Sequence, residues 1–181
     1  MIGEKYFSKW LFLFSYVSYQ SINCIINIIF KSLASTPRPH FYDTCSPDWD
    51  RVGLMCDDNN SVKFDISLCV KYDDSNYNII MDSMKSFPSG HSQLSLCCGV
   101  FLVLYLQRRL TSSYKLTLIQ MMILTLSLFC AVSRLLDHRH HLIDVVAGSI
   151  IGAVVGHCAV TDVYKVLQFQ VLKRNYPDNK H

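Results

Sequence analysis

Four long apolar stretches dominate the pattern of hydrophobic and polar positions along this chain. They cover residues 11–30, about 92–106, 116–132 and 142–160, and each contains few ionisable side chains. The first and the last approach the roughly 20 residues that an α-helix needs to cross a bilayer. The middle two are shorter, and on their own they also fit buried helices of a soluble α protein. Together the stretches predict an all-α, polytopic membrane bundle of about four spans.

Lysine and arginine are distributed unevenly around these stretches. Cytoplasmic loops of membrane proteins are enriched in both residues, so their positions indicate which ends of the spans face the cytoplasm. The set expected on the cytoplasmic side is Lys5, Lys9, Arg108, Arg109, Lys115, Lys165, Lys173, Arg174 and Lys180. The loops at residues 31–91 and 133–141 are therefore expected on the extracellular or lumenal face.

The composition agrees with a membrane protein, since 50% of the residues are hydrophobic and 17% are charged. The long loop is different, because between Lys31 and Lys85 it has six basic and nine acidic residues. It is a solvated, mildly acidic segment rather than a polybasic lipid-binding arm, and we expect no nucleic-acid partner. Its length, about sixty residues, exceeds that of ordinary loops and is typical of a functional loop or one with structure of its own.

The cysteines and one sequon add to the picture of this loop. Asn59 begins an N-glycosylation sequon, which the predicted face would expose to modification. Cys45, Cys56 and Cys69 lie in the same loop, where an oxidising compartment permits one disulfide and leaves one thiol over; the sequence leaves the pairing open. No CxxC pair or closely spaced Cys/His set accompanies them, so no metal site is expected.

A first polar cluster follows the first apolar stretch. Lys31 ends that stretch, and Arg38 lies beyond it between Pro37 and Pro39, which stiffen the chain. A guanidinium offers a planar fork of donors and an ammonium a compact charge, so the pair could neutralise a phosphate from two sides. Taken alone, the pair also fits basic side chains that reach toward lipid head groups.

A second cluster, Pro88-Ser89-Gly90-His91, directly precedes the second apolar stretch. A serine hydroxyl and free backbone amides at a helix N-terminus form an anion site, and here we expect them to face outward. His91 could donate a proton to a leaving alkoxide near neutral pH. Ser89 also fits plain helix capping, which does not conflict with this role.

The third cluster contains Ser133, Arg134, His140 and Asp144. Residues four apart share a helix face, so Asp144 could hydrogen-bond one nitrogen of His140, fix its tautomer and make the other nitrogen more nucleophilic. The alternative is a generic interfacial histidine in the run His138-Arg139-His140-His141.

Taken together, the clusters resemble the tripartite signature of the type 2 phosphatidic acid phosphatases, K-x6-R-P, P-S-G-H and S-R-x5-H-x3-D. The matching positions are Lys31, Arg38, Pro39, Pro88, Ser89, Gly90, His91, Ser133, Arg134, His140 and Asp144. The flanks, including Arg38-Pro39-His40-Phe41 and the doubled His140-His141, look more like the lipid phosphate phosphatases of animal membranes than like glucose-6-phosphatase or vanadium haloperoxidases.

The resemblance implies a single helical domain over residues 1–181 and metal-free, cofactor-free hydrolysis through a phosphohistidine. In these terms His140 is the nucleophile oriented by Asp144, and His91 is the general acid and then the base. Phosphate is bound by Lys31, Arg38, Ser89, Gly90 and Arg134. The implied substrates are phosphatidic acid, lysophosphatidic acid, ceramide 1-phosphate and sphingosine 1-phosphate, which connects the protein to phospholipid metabolism and lipid signalling, at the plasma membrane rather than the endoplasmic reticulum.

The chain also departs from that family: members usually have six spans, and the resemblance implies that the first two are missing here. It resembles about the last two-thirds of a typical member, which suggests a truncated gene model or a shortened protein. An inactive lipid-phosphate-binding relative is therefore an alternative. Gly148, Gly152 and Gly156 recur at intervals of four, and such a face either packs inside the bundle or forms a homo-oligomer interface.

Overall fold

The computed structural model describes residues 2–55 and 65–175. These ranges are predominantly helical. The α-helices are α1 (Ile2–Ala34), α2 (Phe41–Cys45), α3 (Trp49–Met55), α4 (Tyr77–Ser83), α5 (Gly90–Arg109), α6 (Tyr114–Leu136) and α7 (Leu142–Asn175). Two short 3-10 turns, Ile66–Leu68 and Asp74–Asn76, lie between α3 and α4. The all-α prediction is confirmed.

Three helices in the described residues are long and apolar enough to cross a membrane, namely Trp10–Ala34, Tyr114–Leu136 and Leu142–Phe169. They make the chain an integral membrane bundle. The predicted span at residues 92–106 corresponds to α5, which is 20 residues long but is not among the three. The reason is its composition, since α5 begins with Gly90-His91-Ser92-Gln93 and ends with Arg108-Arg109. It packs against α1, α6 and α7. Its polar residues Ser92 and Gln93 are buried against protein rather than exposed to lipid.

The glycine repeat of α7 is the surface that receives α5. A Cβ atom on Gly148, Gly152 or Gly156 would overlap a backbone carbonyl of α5, at Ser89, Gln93 or Cys97 respectively. Glycine at these positions thus lets the two backbones approach closely. The face packs inside the bundle, as one of the two sequence alternatives predicted, and it is not available to a second subunit.

Two sets of contacts fix α1 against α5. Toward the end of the bundle that carries Lys31, Asn27 Nδ2 donates to Gln93 Oε1 at 2.8 Å, and Gln93 Nε2 donates to Asn23 Oδ1 at 2.7 Å. At the opposite end from Lys31, the rings of Phe12 and Phe101 lie 5.1 Å apart. Because α1 is held at both places, its C-terminal turn lies beside the N-terminus of α5.

The long loop has a small core of its own, as its length indicated. Cys45 and Cys69 form a disulfide and pack with Phe41 and Ile80. The structure thereby answers the open question of pairing between these two cysteines, whereas Cys56 and the sequon at Asn59 lie outside the described residues.

Candidate active site

The three polar clusters meet at one end of the bundle. Helices α1 and α6 end there and α5 and α7 begin there, so residues far apart in sequence become neighbours. Direct hydrogen bonds join the segments: the Ser89 N–H donates to the Asp144 carbonyl at 3.0 Å, and His141 Nε2 lies 3.2 Å from the Pro37 carbonyl oxygen. The arrangement that the sequence predicted from topology is thus present in the fold.

His140 and Asp144 lie in the buried part of this site, with only 5% and 2% of their surfaces exposed. His140 Nδ1 is 3.8 Å from Asp144 Oδ2, too far for the direct hydrogen bond that we expected. Ser86 occupies the intervening position. Its hydroxyl donates to Asp144 Oδ2 at 2.6 Å, and its oxygen lies 3.4 Å from His140 Nδ1. Asp144 Oδ2 also accepts from the His141 N–H at 2.9 Å.

The surroundings of His140 favour its neutral form. Burial lowers the pKa of this imidazole to about 4, the positive charges of Arg38 and Lys31 act in the same direction, and Asp144 opposes them. At physiological pH the ring therefore carries one proton and keeps one lone pair. A neutral imidazole with a free lone pair is the form that a nucleophile requires.

His91 lies in the first turn of α5 at a more exposed position. Partial burial lowers its pKa, and the nearby charges of Arg134, Lys31 and Arg38 lower it further. All three basic residues of the predicted phosphate site therefore act on His91, and two of them also act on His140. Lys31 and Arg38 are thus close enough to both histidines to affect their pKa values, whereas Arg134 affects that of His91.

Arg38 is anchored but still has a free donor. Its Nη2 pairs with Asp82 Oδ2 at 3.0 Å, and its main-chain N–H donates to the Ser83 carbonyl at 2.8 Å. Its Nε atom is buried and makes no hydrogen bond within the described part of the chain. A buried donor without a partner is costly, so this N–H is suited to an anionic ligand oxygen.

Arg134 and Lys31 complete the group of cations. Arg134 Nη2 pairs with Asp137 at 2.8 Å and also donates to the Ser133 hydroxyl at 3.2 Å. Both basic side chains are half-buried. The contacts of Arg134 hold its charge at the end of the bundle without covering it fully.

Ser89 differs from the expectation of an outward-facing hydroxyl. It is fully buried, its N–H is engaged by the Asp144 carbonyl, and its hydroxyl accepts from the Ser92 hydroxyl at 2.9 Å. The helix-capping role is confirmed, because the same oxygen accepts from the Ser92 N–H at 3.5 Å. In this conformation Gly90, which is partly exposed, is the member of the pair that is better placed to meet a phosphate.

Sequence reasoning missed two residues of the site, Ser86 and Asp82. Both precede the Pro88-Ser89-Gly90-His91 cluster, in a segment that carries no recognisable spacing pattern. The available signal was weak: a serine two residues before Pro88 and a carboxylate in the loop that returns to Arg38. Metal-binding groups of three or more His, Cys, Asp or Glu side chains are absent from the residues that the structure describes.

Comparison with known families agrees with this geometry. Residues 9–168 match the model of the PAP2 superfamily. The chain belongs to that superfamily. It is 34% identical over 173 residues to phospholipid phosphatase 1 of Rattus norvegicus, covering 92% of this chain and 57% of the relative.

Two further relatives carry related names. Phospholipid phosphatase 2 of Bos taurus is 35% identical over 133 residues, 72% of this chain and 43% of the relative. Phospholipid phosphatase 2 of Homo sapiens is 32% identical over 141 residues, 75% of this chain and 46% of the relative. These names confirm the predicted resemblance to lipid phosphate phosphatases. The chain spans about half the length of the curated relatives that it matches, and no solved structure matches it.

Proposed function

We propose that this chain is an integral-membrane lipid phosphate phosphatase. Its substrates are phosphomonoesters carried on a lipid: phosphatidic acid, lysophosphatidic acid, ceramide 1-phosphate and sphingosine 1-phosphate. Membership of the PAP2 superfamily and the names of its relatives support this class of reaction. The observation that carries the proposal is that the segments bearing the basic residues and the two histidines meet at one end of the bundle, where Arg38 Nε is buried and unbonded within the described residues.

Phosphate binding follows from charge and donors. Lys31, Arg38 and Arg134 neutralise the phosphate and stabilise the charge on its equatorial oxygens in the transition state. The N-terminus of α5 at Gly90 adds main-chain donors and the positive end of the helix dipole. Because these groups supply the positive charge, we propose hydrolysis that does not depend on Mg²⁺.

The chemical step uses the two histidines in different roles. His140 Nε2 attacks phosphorus, the bond from phosphorus to the lipid oxygen breaks, and His91 donates a proton to the departing alkoxide. The product on the enzyme is a phosphohistidine. Water then attacks phosphorus while His91 takes its proton, the N–P bond breaks, and inorganic phosphate leaves. Both histidines return to their starting protonation states.

The same end of the bundle is proposed to face the cell exterior or an organelle lumen. Arg108 and Arg109 end α5 at the opposite end, which the positive-inside rule assigns to the cytoplasm. The Cys45–Cys69 disulfide on the site side is typical of an oxidising compartment. We propose the plasma membrane as the location, with glycosylation at Asn59 and a role in lipid signalling. An endoglycosidase-sensitive mass difference that Asn59→Gln abolishes would test this orientation.

The decisive experiment measures phosphate release from lysophosphatidic and phosphatidic acid in detergent micelles containing EDTA. The unmodified chain is compared with His140→Ala. Activity that survives chelation and disappears in the variant supports a metal-independent histidine phosphatase. Loss of activity on chelation, restored by Mg²⁺, contradicts the proposed independence from metal. Absence of release by either protein contradicts the proposal and favours a lipid-phosphate-binding role.

A further inference from the structure

The hydroxyl of Ser86 lies between the carboxylate of Asp144 and the imidazole of His140. The carboxylate and the imidazole are 3.8 Å apart, whereas Ser86 Oγ is 2.6 Å from Asp144 Oδ2 and 3.4 Å from His140 Nδ1. A contact of 3.8 Å is not a hydrogen bond, but the two shorter contacts form a chain. The position of this hydroxyl therefore affects how the imidazole is held.

The main chain fixes Ser86 in place. Its N–H donates to the Thr36 carbonyl at 2.9 Å, and the N–H of Phe87 donates to Thr36 Oγ1 at 3.1 Å. Ser86 is fully buried, with 0% of its surface exposed. Its hydroxyl is thus kept away from solvent and directed at the two catalytic side chains.

The direction of each hydrogen bond follows from a proton count. A serine hydroxyl has one proton. In the 2.6 Å contact it donates this proton in a hydrogen bond to the Asp144 carboxylate, which can only accept. Toward His140 the serine oxygen is then an acceptor, which assigns the imidazole proton to Nδ1. Nε2 is left with the lone pair that attacks phosphorus.

We propose that Ser86 is a positioning residue that links Asp144 to His140 by hydrogen bonds. It orients the imidazole and selects the tautomer with the proton on Nδ1. This inference rests on the proposed function. When Nε2 takes the phosphoryl group, the ring becomes positively charged, and the chain through Ser86 to the carboxylate stabilises that charge. Ser86 therefore favours formation of the phosphohistidine and does not bind substrate.

The test compares Ser86→Ala, Ser86→Thr and the matched control Ser83→Ala. Ser83 is also buried and lies in the same segment, but its hydroxyl donates to the Ile80 carbonyl. Single-turnover formation of phosphoenzyme from radiolabelled lysophosphatidic acid is followed in micelles, with an alkaline quench that preserves phosphohistidine. A single-turnover rate constant does not depend on how much of the protein is folded.

We expect Ser86→Ala to lower this rate constant and kcat by about 10- to 100-fold, the range for losing a hydrogen bond to a charged group. KM should stay within about twofold, because Ser86 does not contact substrate, and Ser86→Thr should recover most of the rate. A Ser86→Ala rate equal to that of Ser83→Ala overturns the inference. Equal impairment of the alanine and threonine variants also overturns it, since that indicates packing alone.

A failure of the proposed function gives a different result. In that case His140→Ala still releases phosphate, or neither the unmodified protein nor any variant forms a phosphoenzyme. If His140→Ala is inactive and the unmodified chain forms a phosphoenzyme, the proposed function stands, and only the Ser86 results decide the inference.

Discussion

Arg38 and Asp82 form an ion pair of 3.0 Å between Nη2 and Oδ2, and the two side chains differ widely in exposure, at 11% for the arginine and 62% for the aspartate. Because the carboxylate of Asp82 is solvated, its ion pair with Arg38 contributes only modestly to stability. Its main effect is to orient the guanidinium, whose buried Nε is left unbonded within the described residues. Arg38 is thus held in a position from which its Nε–H can donate to a bound anion.

Arg38→Lys should therefore lose most of the activity although the positive charge is kept. A lysine offers one compact charge and cannot reproduce the planar fork. Because the guanidinium acts on charge that develops in the transition state, we expect kcat/KM to fall by about 100-fold. Phosphate release from lysophosphatidic acid in micelles measures this change.

Two substitutions serve as controls for Arg38→Lys. Arg51 is an exposed arginine in α3 that donates to the Ser67 carbonyl, so Arg51→Lys should have no measurable effect. Asp82→Asn should change kcat/KM by at most about fivefold, because exposed ion pairs contribute little. If Arg38→Lys behaves like Arg51→Lys, Arg38 does not bind the phosphate.

A plot of kcat/KM against pH should be bell-shaped, with its maximum below pH 7. His140 attacks only when it is neutral, so the rate falls as pH decreases toward its pKa of about 4. His91 must be protonated to serve as the acid, and its pKa lies below the ordinary 6.5. The rate therefore also falls as pH rises above that value, and the optimum lies between the two pKa values.

Ionisation of the substrate must be separated from these two histidines. Profiles for two phosphate esters with different second pKa values achieve this, because a limb that moves with the ester belongs to the substrate. A kcat/KM optimum above pH 7.5 with both esters would contradict the assigned roles. The alkaline limb of kcat should lie at higher pH, since bound phosphate offsets the positive charges around His91.

The sequence was sufficient for the parts of this fold that local patterns encode. Hydrophobic length located α1, α6 and α7, and Ser89 was recognisable as a helix cap from its place before an apolar run. Spacing within short motifs singled out His91, His140 and Asp144 as candidates, and their roles stay a prediction.

Other features depend on tertiary contacts that no local pattern records. The place of Ser86 between Asp144 and His140 arises from the path of the loop along Thr36. The burial of Ser89 arises because α7 approaches the start of α5, and its expected outward hydroxyl was wrong for that reason. The choice of Cys45 and Cys69 as disulfide partners likewise required the folded loop.

Gly152→Ala should destabilise the bundle and reduce activity together. A Cβ there overlaps the Gln93 carbonyl, which cannot move without shifting α5. Overpacking of this kind costs about 1–3 kcal/mol, so the thermal midpoint in detergent should decrease. Activity should also fall, since α5 carries His91 and α7 carries Asp144.

Gly53→Ala is the matched control for this substitution. Gly53 is exposed in α3, and an added Cβ meets nothing within 4 Å. Its activity should equal that of the unmodified protein, and its midpoint should be equal or higher, because alanine is the better helix former. An unchanged midpoint for Gly152→Ala would mean that α5 and α7 are not packed through this face.

Replacing both Cys45 and Cys69 by alanine should lower stability and weaken substrate binding. The disulfide joins residues 24 apart in sequence, and cross-links of this loop length contribute about 3 kcal/mol. Its core includes Phe41, only three residues beyond Arg38, so loosening the loop releases the arginine. We expect KM to rise more than kcat falls. Cys130→Ala, which removes a free thiol from α6, should leave both values unchanged. An unaltered KM in the double variant would contradict the proposed effect of the disulfide on the position of Arg38.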